Sequence, residues 1–293
     1  MWSYLKSGAS TVPPEKLLRS RGNIFYFKEI SELMNGNPRI LFIGAHHEEI
    51  EAECPNIAAA LTLAGCDVTI LNPVGGWNWT FIRGLGENGR ERTIADATAA
   101  AAELGCKKVI WDYPVAQTDR YQDEIIDRLA AFLAEYAPEI VFIHWPKDTH
   151  SDHRLIAKVS LQALGPTLNI IPGEAPGFKP PVEIYAYQTG VSQAYGFVPD
   201  LLVKTDEKTM EMADRCIECF NNTAPRFVPA WKKNYHTKAA YWSNLSGGDG
   251  AEALKFLGPI LPLEGFRLKE ILGERLVSSN VSELYHCNQD FWL

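Results

Sequence analysis

The chain has 293 residues, 46% of them apolar and 22% charged, with 36 acidic against 28 basic side chains and a formal net charge of -8. A chain of this make-up can bury a sizeable core as one domain, and its charge argues against a broad nucleic-acid or anionic-membrane surface, which would need clustered Lys and Arg. The first residues lack the apolar stretch of a signal peptide, no later run approaches the ~18 apolar residues of a membrane span, and six cysteines are too sparse for a disulfide scaffold, so a cytoplasmic protein with reduced, buried thiols is expected.

Residues 1–37 are polar, broken by Val12, Pro13 and Pro14, with a short apolar patch at Ile24 to Phe27; they read as an extension wrapping a single domain of residues 38–293. The organised fold begins at Arg39 to Ile43, a continuous apolar run ending in Gly44, which is the pattern of a parallel strand buried on both faces. Asn56 to Ala64 predicts a helix stopped at Gly65, and Asp67 to Leu71 a second strand. Residues 73–91 hold Gly75, Gly76, Gly84, Gly86 and Gly89 among Trp77, Trp79 and Phe81, which has too many breakers for an element and too many rings for a mere linker; it reads as a binding loop.

An Ala-rich helix at Arg92 to Leu104, a strand at Lys108 to Asp112, a helix at Asp119 to Tyr136 and a strand at Glu139 to His144 follow. This alternation predicts an α/β fold, Rossmann-like, with a mostly parallel sheet and helices on both faces. After Pro166 the signals are weaker: strands at Val182 to Gln188 and Leu201 to Lys204, two helical stretches, and a Ser/Gly-rich loop at Ser243 to Gly250. Cys216 and Cys219 form a Cys-x-x-Cys pair without a second pair at zinc-ribbon spacing, inside an amphipathic stretch, and are expected to pack in the core.

Two clusters carry the chemistry, each just past a predicted buried strand, where a fold of this type binds its ligands. The first is Ala45-His46-His47-Glu48-Glu49-Ile50-Glu51 and the second is His150-Ser151-Asp152-His153; His144 lies close by. A zinc hydrolase needs three nitrogen or carboxylate ligands with a fourth position open to water, and a further carboxylate nearby to take a proton. Two His and one carboxylate suffice, and the adjacent Glu48 and Glu49 offer one group for each role. Either cluster alone reads more simply as a solvated pair or a helix cap. Together, at the carboxyl ends of strands in one sheet, they must converge.

These residues resemble the PIG-L/LmbE family of N-acetylglucosaminyl deacetylases, whose Ala-His-Pro-Asp-Asp-Ile-Glu and His-Pro-Asp-His patterns appear as residues 45–51 and 150–153; the similarity runs over residues 38–160, with a weaker echo at Ala251-Glu252-Ala253. The resemblance implies one Zn2+ per chain on His46, Glu49 and His153, with Glu48 as general base, His150 as the electrophilic partner and Asp152 orienting a histidine. Both family aspartates are glutamates here, one methylene longer, and His47 replaces a proline.

The function implied is hydrolysis of an N-acyl, in the first place N-acetyl, group from a small-molecule amino sugar or glycoconjugate. A metal-dependent amidase acting on a non-sugar amide and a catalytically silent sugar-binding homologue are the competing readings. Trp77, Trp79, Arg83, Arg92 and His47 are the candidate substrate contacts; Arg90 and Asp96 flank them, and Tyr235, His236 and Lys238 are candidates for a C-terminal wall. Oligomeric state is open, and a homo-oligomer is compatible with the sequence.

Overall fold

A computed structural model describes residues 18–20, 23–25, 36–169, 183–190, 194–258 and 266–279. Within the N-terminal extension, β1 (Leu18–Ser20) and β2 (Asn23–Phe25) pair antiparallel. The apolar run that follows becomes β3 (Arg39–Ile43), which lies parallel between β4 (Asp67–Val74) and β6 (Ile140–His144). A strand with no solvated face must satisfy both of its backbone edges by pairing, so it goes to the middle of a sheet. β5 (Lys107–Tyr113) extends the sheet beyond β4 and β7 (Glu183–Tyr187) beyond β6, giving five parallel strands in the order β5-β4-β3-β6-β7. On the far side of β7 come β9 (Ala251–Gly258), β8 (Leu201–Lys204) and the three-residue β10 (Leu276–Ser278), each antiparallel to the strand before it.

Successive side chains of the central strands point to opposite faces and so sort into two layers. Ile40, Phe42, Val68 and Ile70 pack with the helices Pro55–Leu63, Gly89–Glu103 and Glu207–Glu218; Leu41, Ile43, Leu71, Val141 and Ile143 pack with Gln122–Tyr136 and Ser151–Asn169. Phe42 stacks on Phe142 at 4.4 Å between centroids and Phe142 on Tyr185 at 5.5 Å, so one aromatic row runs across β3, β6 and β7. The mostly parallel α/β architecture expected from the alternating elements is therefore present.

The differences are local. A short helix, Thr80–Arg83, lies inside the glycine-rich loop, and the Ala-rich helix starts at Gly89. The helix Val228–Ser246 runs through half of the segment expected as a loop and stops at Gly247, whose φ of 70° suits a helix C-terminus. Tertiary contacts override the weak propensity of Ser and Asn there: Trp242 is buried and its Nε1 donates to Gln188 Oε1 at 2.7 Å. Cys216 is buried in the first layer, and it and the other four described cysteines are free. Among the described residues no helix is long and apolar enough to cross a membrane.

The chain leaves β3 toward β4 and β5, then crosses back to β6 on the other side of β3. That reversal opens a crevice above the carboxyl ends of β3 and β6, between the loops that follow them. The β3 loop is tightly held. Asn72, at a register shift in β4, donates from Nδ2 to the carbonyls of Gly44 (3.2 Å) and His46. A Cβ on residue 44 would lie 2.8 Å from that Nδ2 and 3.3 Å from Ile50. Gly44→Ala is expected to destabilise the fold by about 1–3 kcal/mol, and Asn72→Ala added to it should cost less than in the wild type; urea denaturation of the four proteins of this cycle measures the coupling.

Candidate metal centre and active site

The turn after β3 places His46 three residues before Glu49, which opens the helix Glu49–Glu53 with its side chain buried. From β6 come His144, the last residue of the strand, and, after a loop, Asp152 and His153 in the first turn of Ser151–Asn169. Three histidines and a backbone N–H meet on the Glu49 carboxylate. Glu49 Oε1 lies 2.7 Å from His46 Nδ1 and in contact with His153 Nε2; Glu49 Oε2 accepts the Ala45 N–H at 2.6 Å and lies 2.6 Å from His144 Nε2.

The far nitrogen of each ring is also held. His46 Nε2 sits 3.0 Å from Asp152 Oδ2, and His153 Nδ1 is 3.1 Å from Asp148 Oδ2. Asp152 is fixed in turn by the Ala116 N–H (2.8 Å) and the Thr118 hydroxyl (2.7 Å), and Asp148 by the Thr189 hydroxyl (2.5 Å) and the His150 N–H (2.7 Å). Carboxylates on the outer nitrogens of two histidines that share an inner target are the arrangement that orients metal-ligating imidazoles. Two groups of three could hold a metal ion, His46 with His150 and His153, and Glu49 with His144 and His153; the expected set of His46, Glu49 and His153 draws on both, and its two-nitrogen, one-oxygen donors would suit a divalent cation such as zinc. The ligand atoms within each of these two groups lie within 4.8 Å of one another.

The electrostatics fit the same reading. Burial disfavours charge on His46, but Glu49 and Asp152 beside it raise its pKa to about 9; His153 is likewise raised to about 10 against its burial by Glu49 and Asp148. Three buried carboxylates therefore demand positive charge at this point, which a bound cation would supply in place of those protons.

The donor set faces a cleft of about 370 Å³ lined by Glu48, Glu53, Trp79, His150, Trp231 and Asn234 among others. Glu48 is largely buried, its side chain 13% exposed, and its pKa is pushed up to about 7, first by burial and against the pull of His46. His150 is driven down to about 4 by burial and by the charges on His46 and His153, so it stands neutral; its Nδ1 accepts the Asp152 N–H at 3.2 Å, which leaves the proton on Nε2.

Of the candidate substrate contacts, Trp79 lines the cleft, its ring 4.7 Å from that of His46. Trp77 lies behind it, donating to Asp112 Oδ1 at 2.8 Å under the Arg90 guanidinium. His47 is 1% exposed, packs against Trp77, Trp79 and Phe220, has its pKa lowered to about 3 by burial, and does not line the cleft. Arg83 is exposed on the short loop helix, and Arg92 bonds the Asn222 carbonyl; neither lines the cleft. Asp96 anchors the same turn through Asn222 and Thr223. Tyr235 and His236 both bond Asp214, while Lys238 reaches the cleft only through Glu53. Sequence reasoning missed Asp148, Trp231 and Asn234, and gave His144 no role. Only His144 carried a signal, a histidine closing an apolar strand.

Residues 41–164 match the family model described as PIG-L, GlcNAc-PI de-N-acetylase. A search of curated proteins found no match. Among solved structures, the 4-carboxy-2-hydroxymuconate hydratase of Pseudomonas putida is similar with a TM-score of 0.62 and 20% identity, over 77% of this chain and 98% of that one. The N,N'-diacetylchitobiose deacetylase of Pyrococcus horikoshii is similar with a TM-score of 0.62 and 16% identity, over 80% and 94%. A teicoplanin deacetylase, in a zinc-inhibited form, gives 0.58 and 11% over 74% and 96%. These likenesses are of fold.

Replacing Glu49 or His153 by Ala is expected to abolish zinc binding, and Asp148→Asn or Asp152→Asn to weaken it about 10- to 100-fold. Competition with a chromogenic chelator measures this. Wild-type affinity in Asp152→Asn would show that something other than this carboxylate orients His46.

Proposed function

With residues 41–164 carrying a PIG-L domain, we propose that the chain is a zinc-dependent N-deacetylase, hydrolysing the N-acetyl group of an amino sugar or glycoconjugate. The observation that carries this reading is the convergence of His46 and His153 on Glu49, each ring backed by its own carboxylate, with Glu48 and His150 lining the same cleft. A cation held by His46, Glu49 and His153 supplies Lewis-acid polarisation of the amide carbonyl and makes water a better nucleophile at neutral pH.

The chain's own groups do the rest. Glu49 Oε2 is occupied by Ala45 N–H and His144, so Glu49 is spent on holding the site and Glu48 is the carboxylate left for proton transfer. Glu48 accepts a proton from the attacking water and returns it to the departing amine. His150, neutral with its proton on Nε2, donates to the oxygen that becomes negative in the tetrahedral intermediate. Trp79 and Trp231 offer ring faces to the apolar faces of a sugar.

The hydratase among the similar structures means that the fold alone does not choose the reaction. Glu48→Gln is expected to keep zinc and to lower acetate release from N-acetylglucosamine derivatives by about 10²- to 10⁴-fold, read by an acetate-coupled assay beside metal analysis. Zinc bound with no acetate released by the wild type would move the reading to another substrate. Full activity in Glu48→Gln would remove Glu48 as the base.

A further inference from the structure

One carboxylate of the cleft has no part in this chemistry. Glu53 ends the helix that Glu49 begins, and its side chain lines the cleft beside His46, Glu48 and His153 while only 11% exposed. Its Oε2 accepts the Asn234 amide at 3.0 Å and the Lys238 ammonium. Lys238, itself 3% exposed in its side chain, gives its other bonds to the carbonyls of Glu53 (2.8 Å) and Gln188 (3.0 Å), which uses all three of its donors. The Glu53 side chain is therefore clamped through one oxygen to its own helix end, to Asn234 and, through Lys238, to the chain beyond β7.

The other oxygen is different. Among the described residues none donates a hydrogen bond to Glu53 Oε1, and the side chain lines the cleft, so this is the oxygen left to accept from a bound molecule. A rigid acceptor whose charge is already balanced by a buried ammonium is poorly suited to trap a free cation and well suited to a neutral O–H donor. In a cleft that Trp79 and Trp231 also line, the donor that suits it is a sugar hydroxyl.

We infer that Glu53 is a specificity-determining residue that reads, through Oε1, the hydroxyl on the carbon next to the acetamido group. This rests on the deacetylase reading above. The test compares kcat/KM of wild type, Glu53→Gln and Glu53→Ala on the methyl glycoside of N-acetylglucosamine and on its 3-deoxy analogue, with zinc content measured on each protein. Gln keeps an oxygen for Lys238 and Asn234 but turns an N–H₂ donor toward the cleft, so it tests the acceptor without emptying the clamp.

Wild type is expected to prefer the hydroxylated sugar by about 10- to 100-fold. In both variants that ratio should fall toward one, chiefly through KM, with zinc retained. A ratio unchanged in zinc-loaded Glu53→Gln overturns the inference and leaves the deacetylase reading standing. A zinc-loaded wild type that cleaves neither sugar overturns both.

Discussion

A single buried carboxylate, that of Glu49, sets the terms for this site. Its two oxygens gather groups from two loops that are 99 residues apart in the chain, as the Ala45 and His144 pair shows. Removing such a group from water is costly unless its charge is met, and the structure meets it with histidines, which are also the side chains able to exchange a proton for a metal. The outer carboxylates Asp148 and Asp152 follow from this, because rings that must present one nitrogen inward need a partner on the other.

The route from sequence to this centre was short for some residues and closed for others. β3 and β6 were legible because strands buried on both faces are unbroken apolar runs, and the cluster around Glu49 was legible because His, Glu and Asp directly after such strands have no packing reason to be there. His47 packs with Trp77 and Phe220, diverging from His46 as adjacent side chains do, and Arg92 bonds the Asn222 carbonyl; neither lines the cleft.

Asp148, Trp231, Asn234 and Glu53 could not be found locally. Asp148 lies in an irregular loop, Trp231 and Asn234 come from a helix nearly 200 residues after His46, and Glu53 gains its meaning only from a lysine 185 positions away. Neither helical periodicity nor turn chemistry encodes such encounters. They depend on the antiparallel half of the sheet, whose short strands carry the weakest signals, setting the helix Val228–Ser246 against the carboxyl ends of the parallel half.

Ala116 shows how far the demands of the site reach into the backbone. Its φ of 56° is a left-handed conformation that an alanine adopts at a cost of about 1 kcal/mol or more, and its N–H is the donor that steadies Asp152. The connection after β5 is thus tensioned against the first turn of Ser151–Asn169, like a stay holding a mast, and the hollow of about 400 Å³ lined by Ala116, Thr118, Asp152 and Arg154 lies along that stay. Any change that slackens residues 115–118 is transmitted through Asp152 to the tilt of the His46 ring, so the tuning of this centre extends to a loop that contributes no side chain to its cleft.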